Sequence, residues 1–141
     1  MDAPRISHQT TIRVRYADTD QMQIVYNGKY LEYFEVGRTE LLRSLGLAYA
    51  DMEKMGTRLP LIEAHLSFKA PARYDDLLVI ESSTAEYRTP RLRLDYRVLR
   101  SSSMEVLATG YTIHAFQDVS SGRVIRPPAM FIATMAGAHP S

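Results

Sequence analysis

The stretch TTIRVRYADTDQMQIVYNGKYLEYFEVGRTELLRSLG, Thr10 to Gly46, changes hydrophobic period once, and that change decides the fold. In its first part Ile12, Val14 and Tyr16 fall on one side and Thr11, Arg13 and Arg15 on the other. Period two with β-branched residues predicts a half-buried strand. A polar loop without proline follows, Ala17 to Gln23, then the apolar step Ile24-Val25-Tyr26. From Asn27-Gly28 onward the period is helical. Tyr30, Phe34, Leu41 and Leu45 share one stripe, with Leu31 and Leu42 beside it. Asn27 is the expected N-cap and Gly46 the expected left-handed stop. Gly37 lies within the stripe, where a missing side chain would let a sheet approach closely.

Outward from this stretch the chain is mostly strand. Residues 1–8 read as a short polar tail, and Tyr49 to Met55 as a weaker helical piece ended by Gly56. Ile62, Ala64, Leu66 and Phe68 alternate with Glu63, His65, Ser67 and Lys69. After Pro71 and the Asp75-Asp76 turn, Leu77 to Tyr87 forms another run, punctuated by Thr89-Pro90. Leu92, Leu94, Tyr96 and Val98 then alternate with Arg91, Arg93, Asp95 and Arg97. Glu105 to Phe116 is apolar on both faces, which predicts a central strand or one at a subunit interface. Ser120-Ser121-Gly122 turns into Val124-Ile125, and Pro127-Pro128 opens a short helix, Ala129 to Met135. One strand, one long helix and four strands with short turns predict an α+β domain, an antiparallel meander curved around the helix.

Composition narrows the chemistry. At 141 residues, 45% hydrophobic and 23% charged, the chain fits a single domain over 1–141. Having no cysteine, it holds no disulfide, zinc–thiolate site or thiol nucleophile. A net charge of +1, from 17 basic and 16 acidic residues, gives no concentrated basic face for nucleic acid. Met-Asp-Ala-Pro-Arg at the start is not a secretory signal, and no apolar run approaches the ~18 residues of a membrane span. A cytoplasmic protein without membrane insertion is expected. No Gly-x-Ser-x-Gly, Gly-x-Gly-x-x-Gly or P-loop appears. His8 and His139 near the ends read as solvated, and His65 and His114 as structural or exposed, none with a metal-ligand partner at suitable spacing. Asp18-Thr19-Asp20 resembles a metal-binding pair but lacks further ligands, so neither metal nor cofactor is expected.

The segment Tyr16 to Tyr30 combines features that catalysis uses. A helix start offers unpaired N–H groups and a positive dipole end to an oxygen gaining negative charge. Asp20 lies seven residues before Asn27, within reach of that helix end through the intervening loop. A loop aspartate on its own is more often a turn or cap residue than a catalyst.

The run from Val14 through Asp18-Thr19-Asp20 and Tyr26-Asn27-Gly28 to Glu35 resembles the signature of the 4-hydroxybenzoyl-CoA thioesterase type of hotdog protein. More narrowly, it is similar to the acyl-CoA thioesterase branch associated with the Tol–Pal system. Arg38 to Arg43 continues the match, as does Phe68 to Asp76 with Pro71-Ala72-Arg73-Tyr74-Asp75-Asp76. The resemblance implies a hotdog fold, a curved antiparallel sheet of about five strands wrapped around one long central helix. It implies Asp20 as catalytic carboxylate, nucleophile or general base, with the Asn27 backbone N–H polarising the thioester carbonyl and Tyr16 near the site. Tyr26, Gly28 and Tyr30 are the expected substrate-binding residues. Two departures stand out: Asn27 occupies a position that often holds histidine, and Gln23 one where glycine is usual.

The implied activity is hydrolysis of an acyl- or aroyl-CoA thioester to free acid and CoA. The alternative is a non-catalytic acyl-thioester binding module on the same fold. A hydroxyacyl-thioester dehydratase ranks below both, since His65 and His114 lack the surrounding signature. Arg88 and Arg91 are expected to meet the CoA phosphates, with a solvated strand face as the alternative. Arg73, Arg123 and Arg126 stay open. A single layer leaves sheet edges and one face uncovered, so a homodimer pairing further to a tetramer is expected. The resemblance implies an active site at the dimer interface.

Overall fold

The first alternating run forms β1, Ile6–Arg13, in a computed structural model that describes residues 5–138. The strand starts four residues earlier than the Thr10 expected, because Ile6 has a buried site to fill. Part of the supposed polar tail is therefore strand, and His8 is half-buried opposite Ser82 rather than solvated. His139 lies outside the described residues. β1 ends before Val14, whose N–H and carbonyl turn to the main chain of Asp76 and Asp75. Tyr16 thus leaves the strand for a single 3₁₀ turn, Tyr16–Asp18.

The long helix is α1, Lys29–Ser44, burying Tyr30, Tyr33, Phe34, Gly37, Leu41 and Leu42. It begins later than expected. Asn27 and Gly28 form a turn, Gly28 stands at the cap, and the Asn27 side chain caps nothing. The stop is as expected: Gly46 has φ +79°, its N–H reaches Arg43 O, and Leu47 N–H reaches Leu42 O. A Cβ on Gly37 would lie 2.8 Å from Ile80 Cγ2, so only glycine lets the helix meet the sheet here. Gly110 does the reciprocal service for the Phe34 ring, 2.7 Å from where its Cβ would stand. Two shorter helices follow α1 in the chain: α2, Tyr49–Lys54, and α3, Ala129–Gly137.

The strands that follow α2 are β2 (Thr57–Arg58), β3 (Leu61–Phe68), β4 (Leu77–Thr84), β5 (Arg91–Arg100), β6 (Val106–Ala115) and β7 (Gln117–Asp118). The main sheet is antiparallel in the order β1-β4-β5-β6-β3, with β2 and β7 in a small second sheet. The expected meander holds for β4-β5-β6, with β6 interior as its two-sided apolarity predicts. It fails for β3, which lies beyond β6 at the far edge. Residues 69–76 carry the chain back across the sheet and find their own partners on the way. Lys69 and Ala70 donate to Leu107 O, Val25 donates to Ala72 O, and Asp75 donates to Val14 O. This strap ties the far edge to the loop before α1.

Phe34 stacks on Tyr96 at 4.2 Å, and Phe116 meets Phe131 of α3 edge to face at 4.9 Å. A polar chain runs through this core. The His114 ring nitrogens lie 3.1 Å from Leu59 O and 3.0 Å from Thr112 Oγ1, which is 2.6 Å from the Tyr96 hydroxyl. Burial, with the nearby Arg38 charge, pushes the imidazole down to about 4, despite its bond to Leu59. By contrast β3, whose apolar residues alternate with polar ones, exposes Ile62, Ala64 and Phe68 at the edge of the sheet. Among the described residues no helix is long and apolar enough to cross a membrane.

Candidate active site

The loop between β1 and α1 carries two aspartates in different settings. Asp18 is 3% exposed. Its carboxylate accepts from the Arg15 amide at 3.1 Å, the Arg15 guanidinium at 3.2 Å and the Tyr33 hydroxyl at 3.0 Å, with Lys29 Nζ 3.8 Å away. Burial pushes this carboxyl up, but the Arg15 amide, Tyr33 and the Arg15 guanidinium outweigh it and hold it below the usual range. Tyr33 responds in the opposite sense: burial, then the Asp18 charge, push its phenol well up. Asp18 is a structural pin between loop and helix.

Asp20 is bound more sparingly. The Met22 amide donates to its Oδ1 at 2.8 Å, while Oδ2 has no partner among the described residues. Main-chain bonds from Asp20 N–H to Ile24 O (3.0 Å) and from Gln23 N–H to Asp20 O (2.9 Å) close the turn. That turn needs φ +66° at Gln23, left-handed backbone that costs a non-glycine residue about 1 kcal/mol. Here is the physical reason a glycine is usual at this position. Asp20 lines an open depression of about 360 Å³ with Tyr16, Thr19, Gln23, Arg73 and Tyr74. Tyr16 and Tyr74 meet edge to face at 5.9 Å and stand 78% and 59% exposed at its rim.

Across the Ile24–Arg73 bridge lies a second depression, of about 280 Å³. Asn27, Ile24, Val25 and Tyr30 from the loop and helix face Phe68, Lys69, Ala70 and Pro71 from β3 and the strap. Tyr30 is buried, its ring edge to face with Phe68 at 5.2 Å. The amides of Asn27 and Gly28 have no acceptor among the described residues, while Lys29 and Tyr30 donate back to Tyr26 O and Asn27 O. In one chain, then, Asp20 and the Asn27 amide belong to neighbouring depressions that share a wall, not to a single cavity. Tyr26 and Gly28 line neither. Tyr26 is exposed, and a Cβ on Gly28 would stand 3.0 Å from its ring.

Arg88 and Arg91 lie elsewhere. Arg91 pairs with Ala115 at one end of β6, whereas Phe68 pairs with Ala108 toward the other, so within one chain the sheet separates Arg91 from Asn27. Arg88 sits over the Tyr87 ring at 4.4 Å. Arg93 and Arg97 are engaged by Asp95 and Glu81. The cations nearest the two depressions are Lys69 and Arg73, whose side chains make no ion pair among the described residues. Sequence reasoning left Arg73 open and passed over Tyr74 and Lys69. The signal was present in the Pro71-to-Asp76 block, but nothing in periodicity says that a strap crosses beside Asp20.

The family model described as the thioesterase-like superfamily matches residues 14–135. The protein named acyl-CoA thioesterase YbgC of Haemophilus influenzae is 31% identical over 99 residues, 70% of this chain and 73% of that one. YneP of Bacillus subtilis is 46% identical over 76 residues, and the match spans about half of each chain, 54% and 55%. The structure of DHNA-CoA thioesterase from Staphylococcus aureus superposes with a TM-score of 0.80 at 30% identity, covering 85% of this chain and 80% of that one. The chain belongs to the thioesterase-like superfamily and has its hotdog fold.

Proposed function

We propose that this protein hydrolyses acyl-CoA thioesters, with Asp20 as nucleophile or general base and the Asn27 amide polarising the carbonyl. One observation carries the reading. Beside a carboxylate whose donors are complete, Asp20 lines a depression with one oxygen that has no partner among the described residues, next to a helix start with two amides unengaged among those residues. The printed names of the Haemophilus and Staphylococcus relatives support a CoA thioester as the substrate class. Assignment to the Tol–Pal-associated branch rests on the Val14-to-Glu35 run.

The uncovered edge of β3 supports pairing with a second copy. Antiparallel pairing of two β3 strands sets the Leu61 end of one beside the Phe68 end of the other. Arg88 and Arg91 of one copy then approach the Asn27 depression of its partner, which is how they would reach CoA phosphates. A dimer, pairing further to a tetramer in the cytoplasm, is the proposed working form. Sedimentation at micromolar concentration tests it, and a monomer there contradicts it.

The second reading is a binding module without turnover, favoured by the absence of an imidazole at Asn27. Thiol release across short, medium, long and aryl CoA thioesters separates the two. Release above the no-enzyme rate is expected; binding without release would favour the module.

A further inference from the structure

We infer that Gln23 is a positioning residue for hydrolysis, its side-chain amide and the free Asp20 oxygen holding the attacking water in the depression they share. This deepens the reading of Asp20 as the catalytic carboxylate and selects the general-base route over direct attack.

The backbone around Gln23 favours glycine, yet a long polar side chain stands there at φ +66°. The turn asks nothing of that side chain. Main-chain bonds close it, and the Gln23 amide has no protein partner among the described residues. Gln23 lines the same depression as Asp20. Asp75 and Met104 also hold left-handed backbone, at φ +69° and +57°, but neither lines that depression.

The inventory of polar groups there narrows the role. Asp20 Oδ1 is occupied by the Met22 amide, which leaves Oδ2 to accept a proton. Thr19 donates to Tyr16 O at 2.7 Å, so its hydroxyl keeps only acceptor lone pairs, whereas the Gln23 side-chain amide has no partner among the described residues. Arg73 can only donate, so it cannot take a water hydrogen. Tyr16 and Tyr74 stand outward at the rim. A water that gives one hydrogen to Asp20 Oδ2 and the other to the Gln23 carbonyl oxygen has both partners it needs. A lone pair then remains for the thioester carbon.

The step balances. The water oxygen bonds to the carbonyl carbon as Oδ2 takes one of its protons. The carbonyl then re-forms, the C–S bond breaks, and the leaving sulfur takes that proton from Asp20. Free acid and CoA thiol are released.

Gln23→Gly tests this, because it relieves backbone strain while deleting the amide. The unfolding midpoint should hold or rise. With an acyl-CoA that the wild type hydrolyses, kcat should fall by about 10- to 100-fold with KM little changed, the scale of one hydrogen bond to a reacting group. Gln23→Asn keeps an amide and tolerates φ > 0, and its kcat should fall between wild type and Gln23→Gly. Single turnover in heavy-oxygen water should label the product acid and leave Asp20 unlabelled. Wild-type kcat in Gln23→Gly, or label on Asp20, overturns the role of Gln23 while leaving the hydrolase reading intact. Absence of thiol release from any acyl-CoA by the wild type overturns both.

Discussion

Asp18 and Asp20 stand two residues apart in one loop, and the fold treats them oppositely. Asp18 sits under the helix with donors from Arg15 and Tyr33 around its carboxylate. Asp20 lines an open depression and receives one amide, its other oxygen having no partner among the described residues. Residue type is the same, so the difference lies in the donors each neighbourhood supplies. A complete set makes a carboxylate part of the frame; an incomplete one leaves it free to take a proton. The contrast extends beyond this loop. His114 is enclosed by Leu59 and Thr112, whereas Asn27 lines a depression, and its amide and that of Gly28 have no acceptor among the described residues.

The largest effect expected falls on the open side. Asn27→Pro removes the amide N–H and should lower kcat by about 100- to 1,000-fold, the range for one oxyanion donor. Asn27→Ala, which keeps that N–H, should stay within a few-fold of wild type. Steady-state thiol release compares them, and equal losses would move the role to the side chain.

Effects on the closed side should appear in stability. His114 titrates near 4 when folded and near 6.5 when unfolded, so the unfolded chain binds the extra proton between those values. Stability should fall as pH drops from 6.5 toward 4, by about 3 kcal/mol relative to His114→Gln. Urea unfolding of both proteins across that range reads it; parallel pH profiles would show that His114 is not enclosed as described.

Asp18→Asn should cost about 2 kcal/mol at neutral pH, because amide hydrogens would face the Arg15 and Tyr33 donors. The Asp18 carboxyl is held below 3.8, so its contribution is full above that value and lost as pH falls through the lower folded value. The gap between wild type and Asp18→Asn, measured by denaturant unfolding, should therefore narrow in strong acid. Smallest is Tyr33→Phe, about 1 kcal/mol for one hydrogen bond. Its kcat should stay near wild type; a large loss would break the division between the two aspartates.

Local features were legible in the sequence because neighbours in the chain set them. The α1 stripe and the Gly46 stop follow from residues within a few turns, and Gly37 marks a close approach without naming Ile80 as what comes close. The place of β3 was not legible, since alternation shows that a strand has faces but not which strand lies beside it. Asp18 was unreadable for the same reason: its buried partner Tyr33 is fifteen residues away. Asn27 misled in an instructive way. Its side chain suggested a cap, but the helix starts later, and what remains is a main-chain amide that no side-chain pattern announces. Asp20 itself was singled out through the family resemblance, not through spacing.

The most direct test is thiol release by Asp20→Asn from an acyl-CoA that the wild type hydrolyses, with the unfolding midpoint taken on the same preparation. At least a ~100-fold loss of kcat with the midpoint retained is the result predicted. Near-wild-type turnover by that variant would contradict the role given to Asp20.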